Sequence, residues 1–412
     1  MSLGLDKEKE TSYIIAIKEI RKKLVFMDFF EENRIAIVAD WLIDFWWAEL
    51  VISHLLEAFP EADIYTSVCF MDHPMLEWRR VYTSWLQKVP FFNRRHKLAG
   101  ILRPFAFRSF DLSEYDIIIS SSSAEAKNAG FRNKIPLTPF IKGESQKPIH
   151  ICYCHTPIRY YWSHYAEYRN MMEFGFLNPL ARFILDHLIS WLRKLDYEAA
   201  QKVDFFIANS GNTRERIEKY YDRESEVIYP GVEIKNIENL EIHSEWQEDY
   251  YISVGRCIPY KKFDLLVDAF NQNGKKLILC TATDTPLFRE LKEKSKPNIE
   301  WKFRVSNEEK DALMQWAKAF LFPPLEDFGL VPIEAMAMGT PVIAYCEWWA
   351  LETVVDWKTG TFFTPQTPEA LNIAIEKFEA MAFDRENIRN HATSFGKEVF
   401  QKKIVDFVNS KI

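Results

Sequence analysis

Two carboxylates, Glu326 and Glu334, stand eight residues apart in residues 319–345, AFLFPPLEDFGLVPIEAMAMGTPVIAY. This stretch reads as a strand ending in Pro323-Pro324, a short acidic loop, a helix from about Leu330, and a second strand through Val342 and Ile343. The first N–H groups of a helix are unpaired and its dipole is positive there, so anionic groups settle at such a junction. Glu326 and Asp327 therefore also have a purely structural reading, as complements to the helix start. A second set is Arg256 and Lys261, five residues apart in VGRCIPYKKFDLL, one at a strand end and one at the start of the next helix. A guanidinium and an ammonium together can neutralise concentrated negative charge, through charge-assisted bonds about twice as strong as neutral ones. As isolated cations they would simply be solvated. A third candidate is His155, which follows the apolar run IHICYC and precedes Pro157. A lone histidine after a strand is more often structural than functional.

The elements that must position these groups follow from apolar runs. RIAIVA (34–39), DIYTSV (63–68), DIIISSS (116–122), IHICYC and VDFFIANS (203–210) read as strands, with helices between them, notably from about Trp46 to Phe59 and over 177–201. A second series runs through YYISVGR (250–256), KKLILCTA, NIEWKF, AFLFPP and PVIAY. Strands alternating with helices imply βαβ units and parallel sheets, in which ligands bind beyond the carboxyl ends of the strands. That rule directs Asp40, Ser120 to Ser123, His155 and Asn209 toward a site. The polar residues 230–248 read as the linker between two α/β halves.

A chain of 412 residues has room for two separate cores, and 48% hydrophobic with 27% charged residues fits a globular protein. The net charge of −7 argues against nucleic acid as a partner. The opening MSLGLDKEKE has no apolar signal region, and no apolar stretch reaches the length of a membrane span. Six cysteines without a C-x-x-C pair read as reduced thiols, which points to the cytoplasm. Residues 1–33 have helical apolar spacing and read as a helical extension, packed on the first domain or lying on a membrane surface. Residues 70–110 carry Arg79, Arg80, Lys88, Arg94, Arg95, Lys97, Arg103 and Arg108 against Asp72 and Glu77, interleaved with aromatic residues. Such a segment suits an anionic membrane face, or is a solvated face beside an ordinary core.

The pattern E-D-F-G-x-x-P-x-E-A-M-A-x-G-T-P-V-I-A, together with V-G-R-x-x-x-x-K-x-x-D (254–264), Y-C-H-T-P-x-R-Y (153–160), S-S-S-x-x-A-K (121–127) and FIANS (206–210), resembles the retaining GT-B glycosyltransferases of family 4. The likeness is nearest to bacterial mannosyltransferases of O-antigen and exopolysaccharide synthesis. It implies an α/β GT-B fold, with two Rossmann-like domains facing across a cleft. Residues 1–235 would bind the acceptor, residues 236–394 the nucleotide-sugar donor, and residues 395–412 would return to the first domain. By the same resemblance Glu334 holds the donor's ribose, Glu326 lies near the donor sugar, and Arg256 and Lys261 clamp the diphosphate. The backbone of Phe328, Gly329 and Leu330 cradles sugar or phosphate, and His155 lies beside the transferred sugar. Asp44, Lys127, Arg159 and Tyr160 are assigned to the acceptor side, although Lys127 also reads as a surface lysine. The implied reaction moves a hexose, mannose from GDP-mannose, to a hydroxyl of a lipid-linked saccharide with retention. No D-x-D stands in the matching region, and no metal or other cofactor is expected. Acceptors carried on polyprenyl diphosphates favour peripheral membrane contact through residues 70–110.

The chain departs from the family where glycine is usual. Trp46 and Trp47 (DFWWAEL) and Trp348 and Trp349 (EWWALET) replace two Gly-Gly pairs. Asp356-Trp357 stands for Asp-Gly, TATDTP (281–286) for G-x-G-P, and Phe303 for the Gly before R-V-S. Glycine serves such loops because the backbone must approach a phosphate or take positive φ, whereas tryptophan is bulky and resists positive φ. A second reading follows: a catalytically impaired or engineered GT-B-like scaffold whose indoles block the cleft. A Rossmann dehydrogenase is disfavoured, because no G-x-G-x-x-G is present.

Overall fold

The computed structural model describes residues 33–90, 96–130, 147–170, 178–235, 249–347 and 349–412. The expected N-terminal helical extension and most of the expected linker lie outside these residues. The chain forms two compact units, residues 1–206 and 207–412.

The first sheet has seven strands: β1 (Ile35–Ala39), β2 (Asp63–Thr66), β3 (Val81–Thr83), β4 (Ile117–Ser122), β5 (Ile149–Cys154), β6 (Phe205–Ala208) and β7 (Ser225–Val227), in the order β3-β2-β1-β4-β5-β6-β7. The pairs joining β3, β2, β1, β4 and β5 are parallel. Every residue of β1 and β4 is buried. A parallel sheet covered on both faces needs unbroken apolar runs rather than alternation, which is why IAIVA and III stand out in the sequence. The helix Trp47–Ala58 packs on β1 and β4 through a face that includes Val51, Ile52, Leu55 and Leu56. Burying each such side chain stabilises by about 1.5–3 kcal/mol. The strand β3 lies inside the basic-aromatic stretch and has no apolar run of its own; Tyr82 earns its place by stacking on Tyr65, with centroids 4.7 Å apart.

The second sheet has six strands, all parallel to their neighbours: β8 (Tyr251–Val254), β9 (Leu277–Thr281), β10 (Ile299–Phe303), β11 (Ala319–Phe322), β12 (Val342–Tyr345) and β13 (Gly360–Phe363), in the order β10-β9-β8-β11-β12-β13. The edge strand β13 carries no sequence signal beyond GTFF. Gly360 is required there, because a Cβ would lie 2.0 Å from the carbonyl oxygen of Val342. A core built from β8, β9, β11, β12 and the helix Leu330–Ala337 fills one face, including Ile252, Phe320, Ile333 and Met336.

Each sheet changes direction of winding once: between β1 and β4 in the first, and between β8 and β11 in the second. Loops leaving the carboxyl ends of strands on either side of such a point diverge and leave a crevice. The crevice position in the second sheet is flanked by Gly255-Arg256 after β8 and by Pro323 to Glu326 after β11. In the first it is flanked by Asp40 after β1 and Ser123 after β4.

Candidate functional site

In the second unit, Lys261 ends a short turn after β8 and is ion-paired with Glu326 in the loop after β11. Its ammonium also lies 5.6 Å from the centre of the Phe322 ring. Arg256 is exposed, and its Nη2 donates to the hydroxyl of Tyr260 over 3.0 Å. Glu334 sits in the helix Leu330–Ala337, with Oε2 2.8 Å from Nζ of Lys310 on the helix Asn307–Trp316. Burial pushes the Glu334 carboxyl up, against the opposing pull of Lys310. The structure thus brings a cation against each of the two carboxylates. An anionic, hydroxyl-rich ligand has both partners at hand: cations for its charge and carboxylates for its hydroxyls.

The acidic loop is fixed from outside itself. Asp327 is ion-paired with Arg216 on the helix Gly211–Tyr221, both nearly buried. Phe328 stacks on Tyr229, with centroids 5.5 Å apart and 18° between planes. Gly329 precedes the helix Leu330–Ala337 without any side-chain cap, so the backbone of Phe328, Gly329 and Leu330 brings uncapped donors to the crevice. Glu352 accepts from the Gly211 amide at 2.8 Å and so ties the helix Trp349–Thr353 to the same strut.

In the first unit, Asp40 organises the loop after β4. Its Oδ2 accepts from the Ser123 amide at 2.7 Å, the Ser123 hydroxyl at 3.0 Å and the Ala124 amide at 2.9 Å, and its Oδ1 from the Ala126 amide at 2.7 Å. His155 follows β5, half-buried, with Nε2 2.8 Å from the Ser121 hydroxyl and its ring edge-on to Tyr153. Arg159 is half-buried and Asp44 is exposed. The hydroxyl of Tyr160 donates to Glu125 at 2.6 Å and accepts from Arg103 at 3.0 Å. Lys127 differs from the expectation of a group turned toward an acceptor. It is 2% exposed, 2.6 Å from Asp196, and donates to the Ala124 carbonyl at 2.8 Å. An ammonium buried this deeply needs such partners, and they hold it in the core.

The expected membrane-facing segment is divided. Trp78 is fully exposed, and Tyr82, Trp85 and Phe105 are about two-fifths exposed. Three of its cations turn inward: Arg79 to the Leu56 and Pro60 carbonyls, Arg103 to Glu125, and Arg108 to Asn128. Arg94 and Arg95 lie outside the described residues. Among the tryptophans that replace glycine, Trp46 and Trp47 are 54% and 42% exposed. Trp357 takes the left-handed φ of 66° that suits the expected glycine, beneath the ammonium of Lys377. Trp348 and the side chain of Trp349 lie outside the description. Arg304, rather than Phe303 before it, holds positive φ, and Phe303 stacks on Phe288.

Residues 48–236 match the family described as Glycosyltransferase Family 4, and residues 237–395 match Glycosyl transferases group 1. The chain belongs to the GT-B glycosyltransferases of family 4. Relatives include the alpha-1,3/1,6-mannosyltransferase ALG2 of Saccharomyces cerevisiae, 24% identical over 48% of this chain and 48% of that protein. The O-antigen chain mannosyltransferase RfbU of Salmonella typhimurium is 30% identical over 32% of this chain and 40% of its own length. These matches span about half or less of each relative. The fold of this glycosyltransferase is similar to that of the lipopolysaccharide outer core galactosyltransferase WaaB, with a TM-score of 0.63 at 18% identity over 92% of this chain and all of that one. It is also similar to sucrose-phosphate synthase of Thermosynechococcus elongatus, with a TM-score of 0.67 at 17% identity over 92% and 98% of the two chains.

Several residues of this glycosyltransferase's site carry no local signal. Lys310, Arg216 and Tyr229 are ordinary helix and loop residues in the sequence, and only the packing of distant elements brings Arg216 and Tyr229 to the acidic loop and Lys310 to Glu334. Glu352 stands in A-x-E-T, where the motif alone does not show that it bonds an amide more than a hundred residues away. Among the described residues, no group of three or more His, Cys, Asp or Glu side chains is placed to hold a metal ion.

Proposed function

We propose that this glycosyltransferase moves a hexose from a nucleotide diphosphate donor to an acceptor hydroxyl with retention, and that the donor is GDP-mannose. The observation that carries the reading is the placement of Arg256, Lys261 and Glu326 at the carboxyl ends of β8 and β11, with Glu334 and its lysine on the adjoining helices. As the sugar–phosphate bond breaks, charge accumulates on the diphosphate, where Arg256 and Lys261 stabilise it more than in the ground state. Donor phosphate competes with Glu326 for Lys261, which releases that carboxylate toward the sugar hydroxyls. The sugar passes through an oxocarbenium-like state, and the leaving phosphate takes the proton of the attacking hydroxyl on the same face. No metal is assigned to this reaction. Mannose is supported by the mannosyltransferases among the relatives.

The acceptor we propose is a lipid-linked saccharide used in bacterial surface polysaccharide synthesis. Peripheral contact at the inner face of the membrane would run through residues 70–110. Trp78 supports it, because a wholly exposed indole suits a membrane interface.

The test is a thermal-shift panel of GDP, UDP and their sugars, followed by transfer assays with a polyprenyl-diphosphate saccharide. A ligand that binds only the folded state raises its apparent stability, and GDP-mannose is expected to raise it most. Binding of UDP-sugars alone would overturn the choice of donor. An intact fold that binds no nucleotide would favour the scaffold with blocked loops. Co-sedimentation with anionic vesicles tests membrane contact, which Trp78→Ala should weaken.

A further inference from the structure

We propose that Lys310 is a donor-binding residue that reads the ribose cis-diol together with Glu334, resting on the donor reading above. The pair is preformed, with Nζ and Oε2 2.8 Å apart, and each side chain is 19% exposed, so neither is sealed from a ligand. Among the described residues, Glu334 Oε1 accepts no hydrogen bond. An ammonium has three donors. One goes to Oε2, and a second leans toward Asp311 Oδ1 at 3.7 Å. The third remains for a ligand. A carboxylate accepts from a hydroxyl and an ammonium donates to a hydroxyl oxygen, so the two side by side match two neighbouring hydroxyls, each both donor and acceptor. A single carboxylate would hold the diol through acceptance alone.

Lys310 also keeps Glu334 in the form that can accept. The charged groups facing Glu334 are Lys310, Asp311 and, at longer range, Lys235. Asp311 is itself held by Lys235 at 2.5 Å. Burial raises the Glu334 carboxyl, Asp311 adds to the rise, and Lys310 is the largest opposing influence. Without its ammonium, Glu334 would take up a proton at higher pH and turn one oxygen from acceptor to donor.

The experiment compares wild-type protein with Lys310→Met and Lys310→Arg. One arm follows the Glu334 carboxyl by ¹³C NMR titration without ligand, assigned with Glu334→Gln. The other measures binding of GDP, UDP and their 2′-deoxy and 3′-deoxy forms by calorimetry. Lys310→Met should raise the Glu334 titration midpoint, weaken ribonucleotide binding about tenfold, and narrow the preference for ribose over the deoxy forms. Lys310→Arg should keep the midpoint low and retain most of the preference. Circular dichroism checks folding, and Lys310→Gln replaces the methionine variant if that fails to fold. An unmoved midpoint, or an unchanged ribose preference in a wild type that binds nucleotide, overturns the proposal alone. A wild type that binds neither nucleotide overturns the donor reading together with it.

Discussion

The ammonium of Lys261 is ion-paired with the carboxylate of Glu326 across the loops that follow β8 and β11. The cation assigned to the leaving diphosphate and the carboxylate assigned to the sugar neutralise each other before a donor arrives. Each side chain therefore holds the other in place at the loop ends.

Replacing Lys261 with methionine leaves Glu326 without this cation and the leaving group without a counter-charge. Loss of one preorganised stabiliser typically costs about 100- to 1,000-fold in kcat. Steady-state donor turnover should show that loss mainly in kcat, with KM changed far less. A loss confined to KM would make Lys261 a ground-state anchor only.

Arg216 and Asp327 are 8% and 7% exposed, so neither charge has water to fall back on. Arg216→Met should destabilise the fold by about 3–5 kcal/mol, because it strands a buried carboxylate. The double change Arg216→Met with Asp327→Leu should recover most of that in urea unfolding. Transfer activity should not recover with it, because the loop carrying Glu326 loses its strut.

Burial pushes the Glu49 carboxyl up to about 7, with Asp40 and Asp44 adding to the rise. The folded state thus holds this proton more tightly than the unfolded chain, whose carboxyl stays near 4.5. The stability this contributes is complete below the unfolded value and is lost as pH rises through the folded one. Glu49→Gln should remove the decline, so the variant gains on the wild type by up to about 3 kcal/mol between pH 4.5 and 7. Chemical denaturation across that range measures it, and parallel curves would sink the assignment.

Trp357 holds φ at 66° and is 58% exposed. Left-handed backbone costs a residue with a Cβ about 1–2 kcal/mol. The contact with Lys377, 4.6 Å from the ring centre, returns about 0.5–1 kcal/mol at an exposed site. Trp357→Gly should therefore stabilise the protein by up to about 1.5 kcal/mol in guanidinium unfolding. Trp357→Ala keeps the strain and loses the contact, so it should destabilise.

The fold was legible wherever a strand is buried on both faces, because such strands leave apolar runs: β1, β4, β5, β8, β9, β11 and β12 can all be read from the sequence. The strands β3, β7 and β13 were not, being three or four residues long, with their places set by partners rather than by composition. In the candidate site, Arg256, Lys261, Glu326 and Glu334 could be named because each lies within a short motif that resembles the family's. Their lysine and arginine partners could not all be named, since Lys310 meets Glu334 and Arg216 meets Asp327 only through packing between helices and loops distant in sequence. Lys127 shows the converse: its motif is legible, but whether an ammonium faces solvent or Asp196 depends on a helix some seventy residues further along the chain.

The parallel pairing of β1 bears on how the protein is made. A parallel neighbour cannot be supplied by a hairpin, so Ile35 must wait for Ile117 before its second edge is covered. Until then a growing chain carries IAIVA with an open hydrogen-bonding edge, the feature that invites pairing between molecules. Non-local strand pairing is also slow to form. Fragments that stop short of β4 should therefore aggregate, and release of soluble protein should depend on chaperones that shield this strand while the next eighty or so residues emerge.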